Sequence, residues 1–136
     1  MAKTFYLEII ATDRVFFQGN VEHLVITALD GLLGILPGHE PLVTCLPVGE
    51  LKYMIEGVWR YAAISEGFIE VMPDRAVILA DHCELPEEID IKRAEEEKQR
   101  AEEMLKQKQS IRDYYMTQAA LNRAMNRLKV SQKKFK

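Results

Sequence analysis

The chain has 136 residues, 48% hydrophobic and 29% charged, with a formal net charge of −3. That length holds one domain, or a small domain with an appendage, and its apolar content excludes an intrinsically disordered chain. No apolar run approaches the roughly 18 residues that span a bilayer, Met1-Ala2-Lys3-Thr4 leads into a strand-like segment rather than a signal sequence, and the charge balance excludes a generally basic nucleic-acid binder.

All seven glycines and all five prolines lie at or before Pro86. Up to that point short apolar runs alternate with turn formers. Phe5 to Ile10, Val21 to Leu29, Leu42 to Leu46, Leu51 to Ile55, Trp59 to Ile64, Phe68 to Met72 and Ala76 to Ala80 read as strands. Between them, Gln18-Gly19-Asn20, Asp30-Gly31, Pro37-Gly38, Pro47-Val48-Gly49-Glu50, Glu56-Gly57, Glu66-Gly67 and Pro73-Asp74 read as turns, because glycine tolerates positive φ and proline presets it. Many short strands with hairpin-like links predict an antiparallel β-sandwich over residues 1–86. An α/β alternative fails for lack of helix-length segments between the strands.

Residues 87–136 contain neither glycine nor proline. Pro86-Glu87-Glu88-Ile89-Asp90 reads as a helix entrance, its acids placed at the positive end of the macrodipole. Ile91, Ala94, Ala101 and Leu105 mark a narrow apolar stripe. Ser110-Ile111-Arg112-Asp113 resembles a capping box and starts a second helix, whose stripe is Tyr114, Leu121, Ala124 and Leu128. The overall class is therefore α+β: an antiparallel sandwich followed by an antiparallel two-helix hairpin. Stripes this thin and alanine-rich predict a hairpin of marginal stability that must dock, bind or move.

The net charge hides a split. Residues 1–86 carry 5 Lys and Arg against 12 Asp and Glu, whereas residues 87–136 carry 13 against 9. Residues 114–136 hold six basic side chains and no acidic one. Asymmetry of this kind reports on partners rather than on fold.

Catalytic motifs are absent: no Walker loop, no Rossmann fingerprint, no HExxH and no CxxC. His82-Cys83 resembles a ligand pair, but neighbouring strand residues face opposite sides and no second pair accompanies them. Cys45, within an apolar run, reads as a buried small residue, His39 as a turn-stabilising histidine, and His23 as a surface histidine beside Glu22. Cys45 and Cys83 imply no disulfide framework, and a reducing compartment is expected. Nothing assembles a nucleophile, base and oxyanion site, so the chain is not expected to be an enzyme. Nucleic acid is also excluded as a partner, since the sandwich is acidic and the basic residues are not interleaved with aromatics.

One constellation remains. If the hairpin turns near residues 110 and 111, Arg93 faces the level of Arg127 or Leu128, and Arg100 faces that of Leu121 to Arg123. Arg93 and Arg100 lie two turns apart on one face, and Arg123 and Arg127 are i,i+4 neighbours. Glu96 and Glu97 are placed to pair with Arg93 and Arg100, but no carboxylate stands at helical spacing from Arg123 or Arg127. A solvated basic face and a polyanion site, phosphate above all, are the two readings of this cluster.

Three segments resemble a known family. Residues 30–42, Asp-Gly-Leu-Leu-Gly-Ile-Leu-Pro-Gly-His-Glu-Pro-Leu, are similar to the signature of the epsilon subunit of bacterial and chloroplast F-type ATP synthases. Ile89-Asp90-Ile91-Lys92-Arg93-Ala94 resembles that family's Ile/Leu-Asp-x-x-Arg-Ala nucleotide motif. Leu121 to Leu128 resembles the Arg-x-x-x-Arg stretch of ATP-binding members. The resemblance implies a non-catalytic rotor subunit whose sandwich docks on the gamma subunit and the c-ring, with the loop bearing Leu32, Leu33 and His39 as rotor contact. It implies a hairpin held folded by ATP as a regulatory ligand, with Glu84, Ile89, Asp90, Arg93, Ala94, Arg100, Arg123 and Arg127 around the nucleotide. The arginines would face the phosphates, and Asp90 and Glu84 the ribose or adenine edges. Mg²⁺ would accompany the nucleotide, with no residue assigned to it. The extended hairpin would reach the alpha and beta subunits and inhibit hydrolysis. The implied location is peripheral, on the cytoplasmic face of the cell membrane, with the membrane met only indirectly. The alternative is a purely structural coupling subunit that does not sense nucleotide.

Overall fold

A computed structural model describes residues 3–133 and divides the chain into two compact units, Met1–Glu84 and Leu85–Lys136. The first unit is built of strands whose alternate side chains are apolar, so each buries one face. These are β1 (Phe5–Ala11), β2 (Val15–Val21), β3 (His23–Ala28), β4 (Gly31–Ile35), β5 (Leu42–Leu46), β6 (Gly49–Ile55), β7 (Val58–Ile64), β8 (Gly67–Met72), β9 (Arg75–Ala80) and β10 (Cys83–Glu84). They form two five-stranded sheets, in the orders β2-β1-β9-β8-β5 and β10-β7-β6-β3-β4. Between the sheets lie Leu7 and Ile9 of β1, Leu24 and Ile26 of β3, Leu51 of β6, Ile69 and Val71 of β8 and Ile78 of β9, all almost wholly removed from water. Phe17 of β2 and Tyr53 of β6 add a tilted aromatic pair with ring centroids 4.7 Å apart. No helix among the described residues is long and apolar enough to cross a membrane.

The sandwich matches the sequence reading in class; Gly49 and Glu50, read within a turn, already belong to β6, opposite Ile64 and Ala63, and four further departures follow. Gln18-Gly19-Asn20 is not a turn but the middle of β2. Gln18 lies opposite Glu8, and its amide donates to the Glu8 carboxylate at 2.8 Å. Polar residues suit this edge strand, and a bulge across from Ile9 and Ile10 re-aims it. Asp30-Gly31 does turn the chain, with Gly31 at φ +130°, but β4 begins there and runs on through a segment read as loop. The sheets are not wholly antiparallel: β1 pairs with β9 in parallel, in register from Tyr6–Arg75 to Ala11–Ala80. The fourth departure is Cys45, which is exposed rather than buried. On the edge strand β5, Leu42, Thr44 and Leu46 face inward by turns, which leaves Val43 and Cys45 outside.

Other histidine readings are refined. His82 is exposed beside the buried Cys83, as opposite strand faces require. His23 stacks on Trp59 at 5.1 Å, with the Lys52 ammonium 4.4 Å from the same ring, while the Glu22 carboxylate accepts from the Gly57 N–H.

The second unit opens with a 3-10 turn at Pro86–Glu88, where Glu88 accepts from the Leu85 N–H at 2.8 Å. Helix α1 (Ile91–Leu105) and helix α2 (Ile111–Ser131) follow. Ser110 caps α2, its hydroxyl accepting from the Asp113 N–H at 3.1 Å, as the sequence predicts. The buried residues of α1 are Ala94 and Ala101, and those of α2 are Thr117, Ala124, Val130 and Ser131. Ile91 and Tyr114, expected in the apolar stripes, are instead 42% and 44% exposed. Each lies in the first turn of its helix, where side chains lean back over non-helical chain. Lys134 and Lys136 of the basic tail, like Met1 and Ala2, lie outside the described residues.

Gly67 enters β8 so close to β9 that a Cβ there would stand 2.2 Å from the Leu79 carbonyl oxygen and 2.8 Å from the Ala80 Cα. Backbone cannot yield as a side-chain tip does. Gly67→Ala is expected to lower unfolding stability by about 1–3 kcal/mol in urea titrations, the usual range for overpacking. Cys45→Ser, on the open face of β5, is expected to stay within about 0.5 kcal/mol of the parent chain.

Candidate functional site

The start of α1 determines where its arginines point. Asp90 is the N-cap, and its Oδ1 accepts the Arg93 backbone N–H at 3.0 Å. One carboxylate thus ends the preceding extended segment and sets the rotation of the first turn. Arg93 then projects beside Glu97, one turn on, and its Nε donates to Glu97 Oε1 at 3.0 Å. From α2, the Arg127 Nη1 donates to Glu97 Oε2 at 3.4 Å. The two oxygens of one carboxylate are therefore shared between guanidiniums on different helices. Arg93 is 71% exposed, Glu97 35% and Arg127 21%, so the group grades from open water to half-buried surroundings.

This arrangement revises the sequence reading at one point. Arg127 has no carboxylate at helical spacing, yet it finds one across the hairpin, a turn beyond the Arg93 level drawn from a turn at 110 and 111. Helix α1 ends at Leu105 and α2 begins at Ile111, as the two apolar stripes and the Ser110 cap imply. Glu97 was seen in the sequence as an i,i+4 partner of Arg93 but not as the link between the helices. The signal was available in its position on the face that looks toward the basic helix.

The remaining positions fall as follows. Arg123 is half-buried, one turn before Arg127 on α2, and Arg100 is exposed, two turns after Arg93 on α1. Ile89 and Ala94 are buried on either side of the Asp90 cap. Glu84 belongs to the sandwich, in β10 opposite Ala63. Of the eight proposed nucleotide contacts, Arg93 and Arg127 are brought together through Glu97. Forked guanidiniums fit planar or tetrahedral oxyanions, so the pair that grips a carboxylate is chemically suited to a phosphate. No group of three or more His, Cys, Asp or Glu side chains able to hold a metal ion occurs among the described residues.

On the sandwich, Leu32 is 77% exposed, Leu33 packs on the core and His39 is half-buried. Gly38, at φ +84°, donates its N–H to the Pro73 carbonyl at 2.8 Å, and His39 Nδ1 lies 2.7 Å from the Glu40 carbonyl oxygen. The histidine is thus engaged in its own turn. Leu29, Leu36 and Val43, which the sequence reading did not single out, are also strongly exposed.

Two family models match the chain: "ATP synthase, Delta/Epsilon chain, beta-sandwich domain" over residues 4–86 and "ATP synthase, Delta/Epsilon chain, long alpha-helix domain" over residues 87–132. An ATP synthase epsilon chain of Ruminiclostridium cellulolyticum is 45% identical over 96% of this chain and 98% of its own length. That of Caldanaerobacter subterraneus is 46% identical over 98% and 97%. Among solved structures, a chain of the Euglena gracilis mitochondrial ATP synthase, in an assembly of OSCP, F1 and c-ring, superposes with a TM-score of 0.80 at 25% identity, covering 90% of this chain and 78% of that one.

The Asp90 cap is testable by substitution. Asp90→Ala removes the cap and is expected to destabilise the hairpin by about 1 kcal/mol, whereas Asp90→Asn keeps an acceptor and is expected to melt close to the parent. Thermal unfolding of the full chain followed by helical circular dichroism checks both.

Proposed function

Since the chain belongs to the ATP synthase delta/epsilon chain family, we propose that it is a non-catalytic rotor subunit whose hairpin senses ATP and restrains hydrolysis. The sandwich docks on the gamma subunit and on the c-ring, and the exposed Leu29 and Leu32 at the β3–β4 tip suit an apolar contact there. The location is peripheral, on the cytoplasmic face of the cell membrane, reached through these partners. In its folded state the hairpin holds one ATP, and in its extended state it reaches the alpha and beta subunits and blocks hydrolysis. No residue is assigned to Mg²⁺, which arrives with the nucleotide.

The observation that carries this reading is the convergence of Arg93 and Arg127, from two helices, on the oxygens of one anion. An anion held that way closes the hairpin. A ligand that binds only the closed form stabilises it by RT ln(1 + [L]/Kd), about 2.7 kcal/mol at a hundredfold excess over Kd. That is large for a helix pair whose buried seam residues include Ala94, Ala101, Thr117 and Ala124, since such side chains bury little apolar area. Once opened, the basic second helix is free to meet acidic surface, where charge complementarity sets orientation and rate of capture. Glu97 also supports a second reading: its carboxylate already joins the two helices, which suits a coupling subunit that needs no nucleotide.

Two measurements separate these readings. By calorimetry the full chain is expected to bind ATP more tightly than ADP, and Arg93→Ala or Arg127→Ala to weaken binding by about 1.5–3 kcal/mol, as for a lost charged hydrogen bond. Equal affinity for ATP and adenosine would remove the site. In the assembled enzyme, loss of residues 87–136 is expected to raise the rate of ATP hydrolysis; unchanged rates at every ATP concentration would leave the coupling reading.

A further inference from the structure

Glu97 is the acid that both helices share, and its position raises a question of occupancy. A carboxylate seated between Arg93 and Arg127 stands where the proposed ligand would place a phosphate. We propose that Glu97 is an internal competitor for that position, displaced when a nucleotide phosphate binds, so that it sets the affinity of the site and its preference for highly charged ligands. The proposal rests on the nucleotide reading of the same site.

The geometry has the features that a replaceable anion requires. Glu97 Oε1 and Oε2 each take one guanidinium, at 3.0 and 3.4 Å, so a phosphate offering two oxygens reproduces both contacts. At 35% exposure Glu97 has a route into water, and its side chain leaves by rotation without any change in the helix. Because the competitor is tethered to α1, its effective concentration at the two arginines is high and does not fall on dilution of the protein. A phosphate must therefore outcompete a resident charge of −1. A monoanion gains little by the exchange, and each further ligand charge adds to the difference. Selectivity for ATP over less phosphorylated nucleotides then comes partly from what the ligand expels. The same carboxylate keeps the empty hairpin closed, so its loss acts on two equilibria in opposite senses.

The test uses the full chain as parent, Glu97→Gln and Glu97→Asp. Glutamine keeps the shape and removes the charge; aspartate keeps the charge and is too short to reach both helices. ATP, AMP and inorganic tripolyphosphate are titrated by calorimetry, and spin labels on α1 and α2 give the closed fraction of the unliganded hairpin. The Kd is corrected for that fraction, since an open hairpin lowers apparent affinity in proportion. Glu97→Gln is expected to bind ATP and tripolyphosphate roughly threefold or more tightly than the parent, the scale of a partly exposed ion pair, with a smaller gain for AMP and a more open unliganded hairpin. Glu97→Asp is expected to fall between the two, and it carries the comparison if the glutamine variant does not fold. If the parent binds ATP and neither variant binds it more tightly, the competitor role is overturned while the nucleotide site stands. If parent and variants alike ignore ATP and tripolyphosphate, the nucleotide reading falls and the competitor role with it.

Discussion

The fully buried seam of the helical hairpin is made largely of small side chains, and the Glu97 carboxylate is shared between its two helices. Alanine allows helices to approach closely but contributes little burial, and Leu105, Leu121 and Leu128 are only half-buried, so the apolar seam is thin. What specifies closure is polar: the Glu97 carboxylate, reached by Arg93 along α1 and by Arg127 from α2. Partly exposed ion pairs contribute on the order of 0–1 kcal/mol each, a size that concentration, salt or a competing anion can overturn. A seam tied this way is reversible by construction, and the proposed switch needs no strained element.

The sandwich follows the opposite logic. Its buried core, among the described residues, is largely branched aliphatic and aromatic and lies between two five-stranded sheets. Burial of that kind needs no counter-ion and is not screened by salt as an ion pair is. The chain thus divides its physics as it divides its structure, with one unit packed on an apolar core and one joined by small side chains and ion pairs, a division that suits the proposed docking and sensing roles. The acidic balance of residues 1–86 and the basic run after Tyr114 place the charge asymmetry along the same boundary.

Most of the fold was legible because it depends on local rules. Short apolar runs between turn formers located β1, β3 and β5 to β9, and the last proline, Pro86, stands in the 3-10 turn that leads into the helices. The failures share a cause: each depends on what the segment pairs with or packs against rather than on its own residues. Polar β2 is a strand because it pairs with β1, and β4 because Gly31 to Ile35 lie against β3. Cys45 faces outward because β5 is an edge whose inner face is set by Leu42, Thr44 and Leu46. In the candidate site, the arginines were legible as a pattern and Asp90 as a helix entrance. Glu97 was only half legible, since its second partner is 30 residues away and is brought near only by the packing of α2 on α1.

The parallel pairing of β1 with β9 bears on how the chain is made. Strand β1 is among the first segments to leave the ribosome, yet its partner ends only at Ala80, and contacts such as Thr12 with Asp81 join residues 69 positions apart. At about 5–20 residues per second, one edge of β1 waits on the order of several seconds with its ladder groups unpaired. Strand β2 can cover the other edge early, as a hairpin, but the open one is a template for any exposed strand nearby. The nascent sandwich is therefore completed almost as a zip fastener closed from its far end: a chain that stalls before Ala80 has a partly built second sheet and a first sheet that cannot join its two halves. The hairpin is the last part of the chain to emerge, after every strand of the sandwich.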